Sequence, residues 1–455
     1  ESGTMPAGRQ VMNNGFEIKS YVREYPFGEA VAHVTGFLGR AGETEVGLIK
    51  SLERKYDADD LVGRAGLELQ YEELLRGEDG GKLIEVDNMG GLSRDLGNKN
   101  PVAGTDLKTS IYGALSRVAL DAMGGKKGAV IVSDPNTGEI LALVSSPSFD
   151  PTKIADYLTS HDLPMFNRAI SGVYPPGSTF KMITMVAAVD SGKVDLGYTY
   201  EDHGVIKVGD FSYTNWLFTK RGRTEGIVGF EKGLAHSVDT FFYKIGEMTS
   251  PQVMADWSYK FGLGDLTGID LPGEVGGLVA TPDWKEKTKG EKWFLGNTYH
   301  MAIGQGDLLT TPLQVNLMTN VLATGGDKCK PHIVGDHVCE KVQISSEVLD
   351  VIKKGMIEAC SPGGTAFPLF GFLPQVACKT GTAEYFDGTV GKVKTHGWLT
   401  AYAPADNPTI SVTVLMEGGG EGSNVAAPVV RKILSRYFNV TDTYNYAAIP
   451  QEIGE

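Results

Sequence analysis

The chain of 455 residues has no run of 18 consecutive apolar residues, so no segment reads as a membrane-crossing helix. Its opening residues carry no basic stretch followed by an apolar core and a cleavage site, so none reads as a secretory signal. Cysteine is scarce: Cys329, Cys339, Cys360 and Cys378, with no C-x-x-C pair, which argues against a zinc ribbon or a thioredoxin-type redox site. Basic residues are outnumbered, 42 against 56 acidic, giving a net charge of −14 and a pI near 5.1. Nothing in that balance offsets phosphate repulsion, so broad nucleic-acid binding is excluded, and no basic face invites anionic lipid. Internal repeats and low-complexity segments are absent too.

What is present fits a globular protein: 41% hydrophobic and 22% charged residues, with length for two or three domains. There are 59 glycines, nearly double the usual share of about 7%, without a collagen period, so they read as tight turns. Cys329 and Cys339 stand close enough in sequence to close a small loop in an oxidising compartment; otherwise all four thiols are buried or idle.

Residues 1–104 alternate charge runs, such as Glu53-Arg54-Lys55 and Asp57 to Asp60, with short apolar patches and glycines. Within them, residues 66–76 place Leu67, Tyr71, Leu74 and Leu75 on one helical face. Residues 88–106 are dense in turn formers and read as a linker, which puts a domain boundary there: 1–104, then 105–455. Residues 109–123 read as a helix stopped by Gly124-Gly125. Two strand-like runs, 129–132 and 139–144, follow, joined by the turn chemistry of Asp134-Pro-Asn-Thr-Gly138. Three more runs, 375–385, 397–402 and 409–416, lie far downstream, with mostly helical segments between. The layout predicts an α+β fold: one five-stranded antiparallel sheet, closed by distant parts of the chain and flanked by helices.

Three short motifs carry chemistry. Tyr174-Pro-Pro-Gly-Ser178-Thr-Phe-Lys181 ends where a helical apolar stretch begins, so Ser178 and Lys181 fall on one face of a helix start. The helix is apolar almost all round, hence buried, and burial lowers a lysine's pKa toward a neutral amine able to take a hydroxyl proton. The alternative is an N-cap serine with a snorkelling lysine. Lys379-Thr380-Gly381-Thr382 lies in a strand, with Lys379 and Gly381 on one face and the threonines on the other. A lysine in an apolar strand is costly unless paired or at a site, and this set suits a carboxylate ligand; the alternative is a solvated edge strand. Ser237-Val-Asp239 alone is a common N-cap. In chain order, however, S-x-x-K, S-x-D and K-T-G form the set used by penicillin-binding proteins and serine β-lactamases.

On those residues the chain resembles class B penicillin-binding proteins, the monofunctional D,D-transpeptidases of bacterial wall synthesis. Gly304-Gln-Gly306, Thr311-Pro-Leu-Gln314 and the 134–142 hairpin also look like the family's forms. Arg23-Glu-Tyr-Pro26, Ala32-His-Val34, Gly63 to Glu68, Tyr71 and Leu75-Arg-Gly77 are similar to its pedestal, or dimerisation-like, domain. Aspartate at 239 is similar to the elongation branch, the penicillin-binding protein 2 type. The resemblance implies a serine β-lactamase-like catalytic domain after the pedestal. It implies Ser178 as acylated nucleophile, Lys181 as general base, Ser237 as proton relay, and Lys379 as the charge holding Ser237 and the substrate carboxylate. Thr380, Gly381 and Thr382 would bind that carboxylate, and the N–H groups of Ser178 and Thr382 would form the oxyanion hole. Asp239 replaces an amide donor with an acceptor, and it would offset the charge of Lys181 or Lys379.

Some elongation-branch relatives resemble zinc proteins near this site. Here Asp202, His203 and His236 lie close in sequence, but Val238 stands where a cysteine would complete the set, so no metal and no cofactor is expected. The implied partners are peptidoglycan stem peptides, β-lactams, a SEDS-family glycan polymerase and other elongation-complex proteins, with no nucleic acid. The implied place is the periplasmic, extracytoplasmic face of the bacterial inner membrane. The family carries an N-terminal membrane helix, so the missing apolar run and short pedestal are expected to mark a trimmed, soluble fragment. Two other readings stay open: a D,D-carboxypeptidase or β-lactamase-like hydrolase, and a scaffold subunit of the elongation machinery.

Overall fold

The computed structural model describes residues 9–13, 16–20, 23–42, 56, 60–78, 80–89, 91–386 and 393–449. The charge run at 53–55 and most of that at 57–60 lie outside the described residues.

The core of the larger part of the chain is one antiparallel sheet. Strand β1 (Gly128–Ser133) and strand β2 (Ile140–Ser146) form a hairpin whose turn closes as its residues dictate: the Asp134 carboxylate accepts from the Asn136 N–H at 2.9 Å. Strands β3 (Ala377–Phe386), β4 (Val393–Ala403) and β5 (Ile410–Met416) complete it in the order β3-β4-β5-β1-β2, so the sheet is closed by distant parts of the chain as expected. Both β1 and β5 are buried on both faces. The alternating side chains explain this. Val130 and Val132 pack with Leu115 and Ala119 of helix α1 (Gly113–Met123) and with Ile433 and Leu434 of the C-terminal helix Ala427–Tyr437. Ala129 and Ile131 pack on the other side with Leu313 and with Val34 and Leu67 of the first domain.

Helix α1 begins at Gly113 rather than at 109. The Ser110 and Tyr112 N–H groups are taken by the carbonyls of Ile333 and Leu141, which holds that stretch extended. Residues 66–76 form two short helices, Gly66–Gln70 and Glu72–Leu75, and the expected apolar face is incomplete. Leu67 is buried and the Tyr71 hydroxyl reaches Asp270 at 2.8 Å, but Leu74 is 50% exposed. The linker reading of 88–106 is corrected. Strand Leu92–Lys99 pairs with Gly81–Val86 in a hairpin whose apolar side chains, Leu83 at 64% and Leu92 at 63%, are exposed. Its turn formers mark bulges and a hairpin turn, not an unstructured connection.

Two disulfides are present. Cys329–Cys339 fulfils the nearby spacing, and Cys360–Cys378, 18 residues apart, was not legible in sequence. Among the described residues no helix is long and apolar enough to cross a membrane.

Candidate active site

Pro175, Pro176 and Gly177 deliver the chain into a 3-10 turn, Gly177–Thr179, followed at once by helix α2 (Lys181–Asp190). Gly177 adopts φ +56°, and its N–H donates to the Gly304 carbonyl at 2.8 Å. The approach is so close that a Cβ on Gly304 would stand 2.1 Å from the Gly177 carbonyl oxygen, which accounts for glycine at 304. The indole of Trp398 on β4 donates to the Pro175 carbonyl at 3.0 Å, locking the entry. Helix α2 is buried on nearly every side, and Lys181 is fully buried with it.

Ser237 follows helix Phe230–Ala235 and precedes helix α3 (Asp239–Thr249). Its φ of +58° is sparsely populated for a residue with a side chain, and the surrounding contacts hold it there. Lys181 Nζ donates to the Ser237 carbonyl at 2.8 Å, to Ser237 Oγ at 3.1 Å and to Asp239 Oδ1 at 2.7 Å. Lys379 Nζ, also fully buried, donates to the same Ser237 Oγ at 2.9 Å and to the Thr380 carbonyl at 2.8 Å. Burial lowers the pKa of Lys181, opposed by the Asp239 charge. Burial lowers that of Lys379 further, aided by the neighbouring Lys181 charge. The structure therefore brings Lys181, Ser237, Asp239 and Lys379 together. Ser178 is half-buried on the 3-10 turn that leads into Lys181. Its hydroxyl has no hydrogen-bond partner among the described residues, because all three protons of the Lys181 ammonium go to Ser237 and Asp239.

Strand β3 shows the expected alternation. Lys379 and Gly381 are buried, and Thr382 is exposed. A Cβ on Gly381 would lie 3.2 Å from the Pro176 carbonyl oxygen, so the strand packs directly on the serine turn. Thr380 is less open than expected: its hydroxyl donates to Thr365 Oγ1 at 2.8 Å. Thr365 lies in the segment spanned by the Cys360–Cys378 disulfide, whose second cysteine immediately precedes Lys379.

Sequence reasoning missed the residues that hold Asp239. The Trp216 N–H donates to Asp239 Oδ2 at 3.1 Å, and Asn215 Oδ1 accepts from the Asp239 N–H at 3.3 Å. Buried Asn215 in turn donates to Asp202 Oδ2 at 3.0 Å. Asp202 also accepts from Gly204 N, Glu225 N and Thr240 Oγ1. Burial pushes its pKa up, and these hydrogen bonds outweigh burial to hold it below the usual carboxylate value. The first of the metal candidates is thus engaged by four protein donors; His203 is exposed, and His236 Nδ1 lies 3.0 Å from Glu225. Among the described residues no group of three potential ligands forms a metal site.

Residues 128–435 match the penicillin binding protein transpeptidase domain, and residues 12–109 match the penicillin-binding protein dimerisation domain. The chain is 36% identical over 440 residues to the peptidoglycan D,D-transpeptidase MrdA of Acinetobacter baumannii, covering 89% of this chain and 64% of the length of that relative. It superposes with a TM-score of 0.81 and 29% identity on PBP2 from Helicobacter pylori in complex with MreC, covering 94% of this chain and 81% of that one. A chain from a peptidoglycan synthase complex that coordinates polymerization and crosslinking aligns with a TM-score of 0.83 at 31% identity, over 94% of this chain and 78% of that one.

Proposed function

The chain belongs to the class B penicillin-binding proteins, and from that premise we propose that it is a peptidoglycan D,D-transpeptidase of cell-wall elongation, working through an acyl-enzyme on Ser178. The observation that carries this reading is the meeting of two buried lysines, Lys181 and Lys379, on one hydroxyl, Ser237 Oγ, beside the serine turn.

Ser178 Oγ attacks the carbonyl of the penultimate D-alanine. Lys181, as neutral amine, takes the hydroxyl proton. The N–H groups of Ser178 and Thr382 receive the developing oxyanion. Ser237 passes a proton from Lys181 to the departing D-alanine nitrogen, with Lys379 fixing its hydroxyl. The substrate carboxylate is held by Thr382 and Lys379, and by Thr380 once its hydroxyl turns from Thr365, and its arrival raises the Lys379 pKa that burial depresses. An amine of a second stem peptide then attacks the acyl-enzyme, the proton steps reverse, and Ser178 is released. β-Lactams take the donor's place and leave Ser178 acylated.

Residues 1–104 serve as pedestal and 105–455 as the catalytic domain. The partners are elongation-complex proteins, including a SEDS-family glycan polymerase; the Helicobacter pylori relative in complex with MreC supports a partner of this kind. The place is the extracytoplasmic face of the inner membrane, which the two disulfides suit.

The test is a thioester donor ending in D-alanyl-thiolactate, supplied with an amine acceptor. The expected product is the amide of the two. Hydrolysis outrunning aminolysis under acceptor excess points instead to a carboxypeptidase.

A further inference from the structure

We propose that Glu384 forms a subsite for a free ammonium group on the donor stem peptide. The inference rests on the transpeptidase reading above and adds a selectivity to it.

Strand β3 is an edge strand, paired with β4 on one side only. Its free edge faces the serine turn: the Thr382 carbonyl accepts from Gln305 Nε2 at 3.4 Å and lies 3.0 Å from where a Cβ on Gly177 would stand. A peptide ligand adds to such an edge as a further strand. The anchors fix its direction. With the terminal carboxylate at Lys379 and Thr380 and the oxyanion at Thr382, the rest of the donor runs past Thr382 toward Phe386.

Side chains alternate along the strand, so Glu384 shares a face with Thr380 and Thr382 and follows Thr382 by about 6.7 Å. It is exposed, and among the described residues its carboxylate has no hydrogen-bond or ion-pair partner. Its charge is felt by Tyr243 of α3 and by His300 of helix Leu295–Ala302, so it lies within electrostatic reach of those two helices. Burial lowers the His300 pKa, so this imidazole does not neutralise it at pH 7.

A carboxylate along the donor's path with no partner among the described residues suits a cation on the donor. The reaction supplies one. Donor and acceptor are copies of the same stem, so the amine that attacks in one stem is an unreacted ammonium in the other. A Glu384–ammonium pair favours donors that are not yet cross-linked through that amine.

The test uses two thioester donors, Nα-acetyl-L-Lys-D-Ala-D-thiolactate with its ε-amine free or acetylated, and follows Ser178 acylation in the first turnover, before a second donor's amine can attack the acyl-enzyme. The wild-type protein should acylate faster with the free amine, by about fivefold, the upper end for an exposed ion pair. That ratio should shrink at 1 M salt and approach one in Glu384→Gln. Equal rates in the wild type, or an unchanged ratio in Glu384→Gln, overturn the subsite. An amine preference confined to the aminolysis step also overturns it, assigning Glu384 to the acceptor. Fluorescent penicillin reports separately that Ser178 reacts: no label means the transpeptidase reading fails, whereas label without amine preference removes only the subsite.

Discussion

Lys181 and Asp239 form an ion pair, Nζ to Oδ1 2.7 Å, in which the lysine is fully buried and the carboxylate is further held by the Trp216 N–H. In the resting site the Asp239 charge opposes loss of the proton that Lys181 must give up before Ser178 can react. The cost of burying the ammonium and the attraction of the carboxylate act in opposite directions on the same group.

Asp239→Asn removes the opposing charge, so the Lys181 pKa falls further. The acidic limb of the acylation profile should therefore move to lower pH, and acylation near pH 6 should quicken severalfold. Penicillin acylation rates between pH 5 and 9 check this; a limb moved to higher pH contradicts it.

Gly304→Ala places a methyl group 2.1 Å from the Gly177 carbonyl oxygen at φ +73°. The serine turn must shift. A loss of about 2 kcal/mol in stability is expected, with slower acylation of what remains folded. Calorimetry and penicillin labelling read the two effects.

His33 is buried against the Pro164 carbonyl, 2.8 Å from Nε2, and burial lowers its pKa to about 4. Between pH 6.5 and 4 the unfolded chain binds this proton and the folded chain does not. The contribution of His33 to stability is thus whole above pH 6.5 and is lost as pH falls to 4, to the extent of about 3 kcal/mol. His396, stacked on Tyr385 and also lowered to about 4 by burial, adds in the same direction. Urea unfolding of wild type and His33→Gln across this range should show a shallower slope in the variant.

The cysteines should all be protected. Denaturation and alkylation before intact-mass measurement should add no label, and Cys360→Ser should cost about 3 kcal/mol, as expected for an 18-residue loop. Two alkylated thiols mapped to Cys360 and Cys378 contradict the second bridge.

The chemistry-bearing residues were legible because they break a local pattern. Lys181 interrupts an apolar helix, Lys379 an apolar strand, and the prolines before Ser178 forbid a continuous helix. The central sheet was legible through periodicity and turn chemistry. What stayed hidden depends on contacts between segments far apart in sequence. Asn215 looks like any helix-capping residue until it is seen between Asp202 and Asp239. Thr365 sits in a loop of small residues, and its meeting with Thr380 follows from the path of that loop. The 81–99 hairpin is exposed on both faces, so burial never imposed an alternation to read.

The most direct measurement is peptide mapping by mass spectrometry after exposure to benzylpenicillin. One acyl adduct per chain should appear on the peptide carrying Ser178, and none in Ser178→Ala. An adduct on another residue, or undiminished labelling of the alanine variant, contradicts the account.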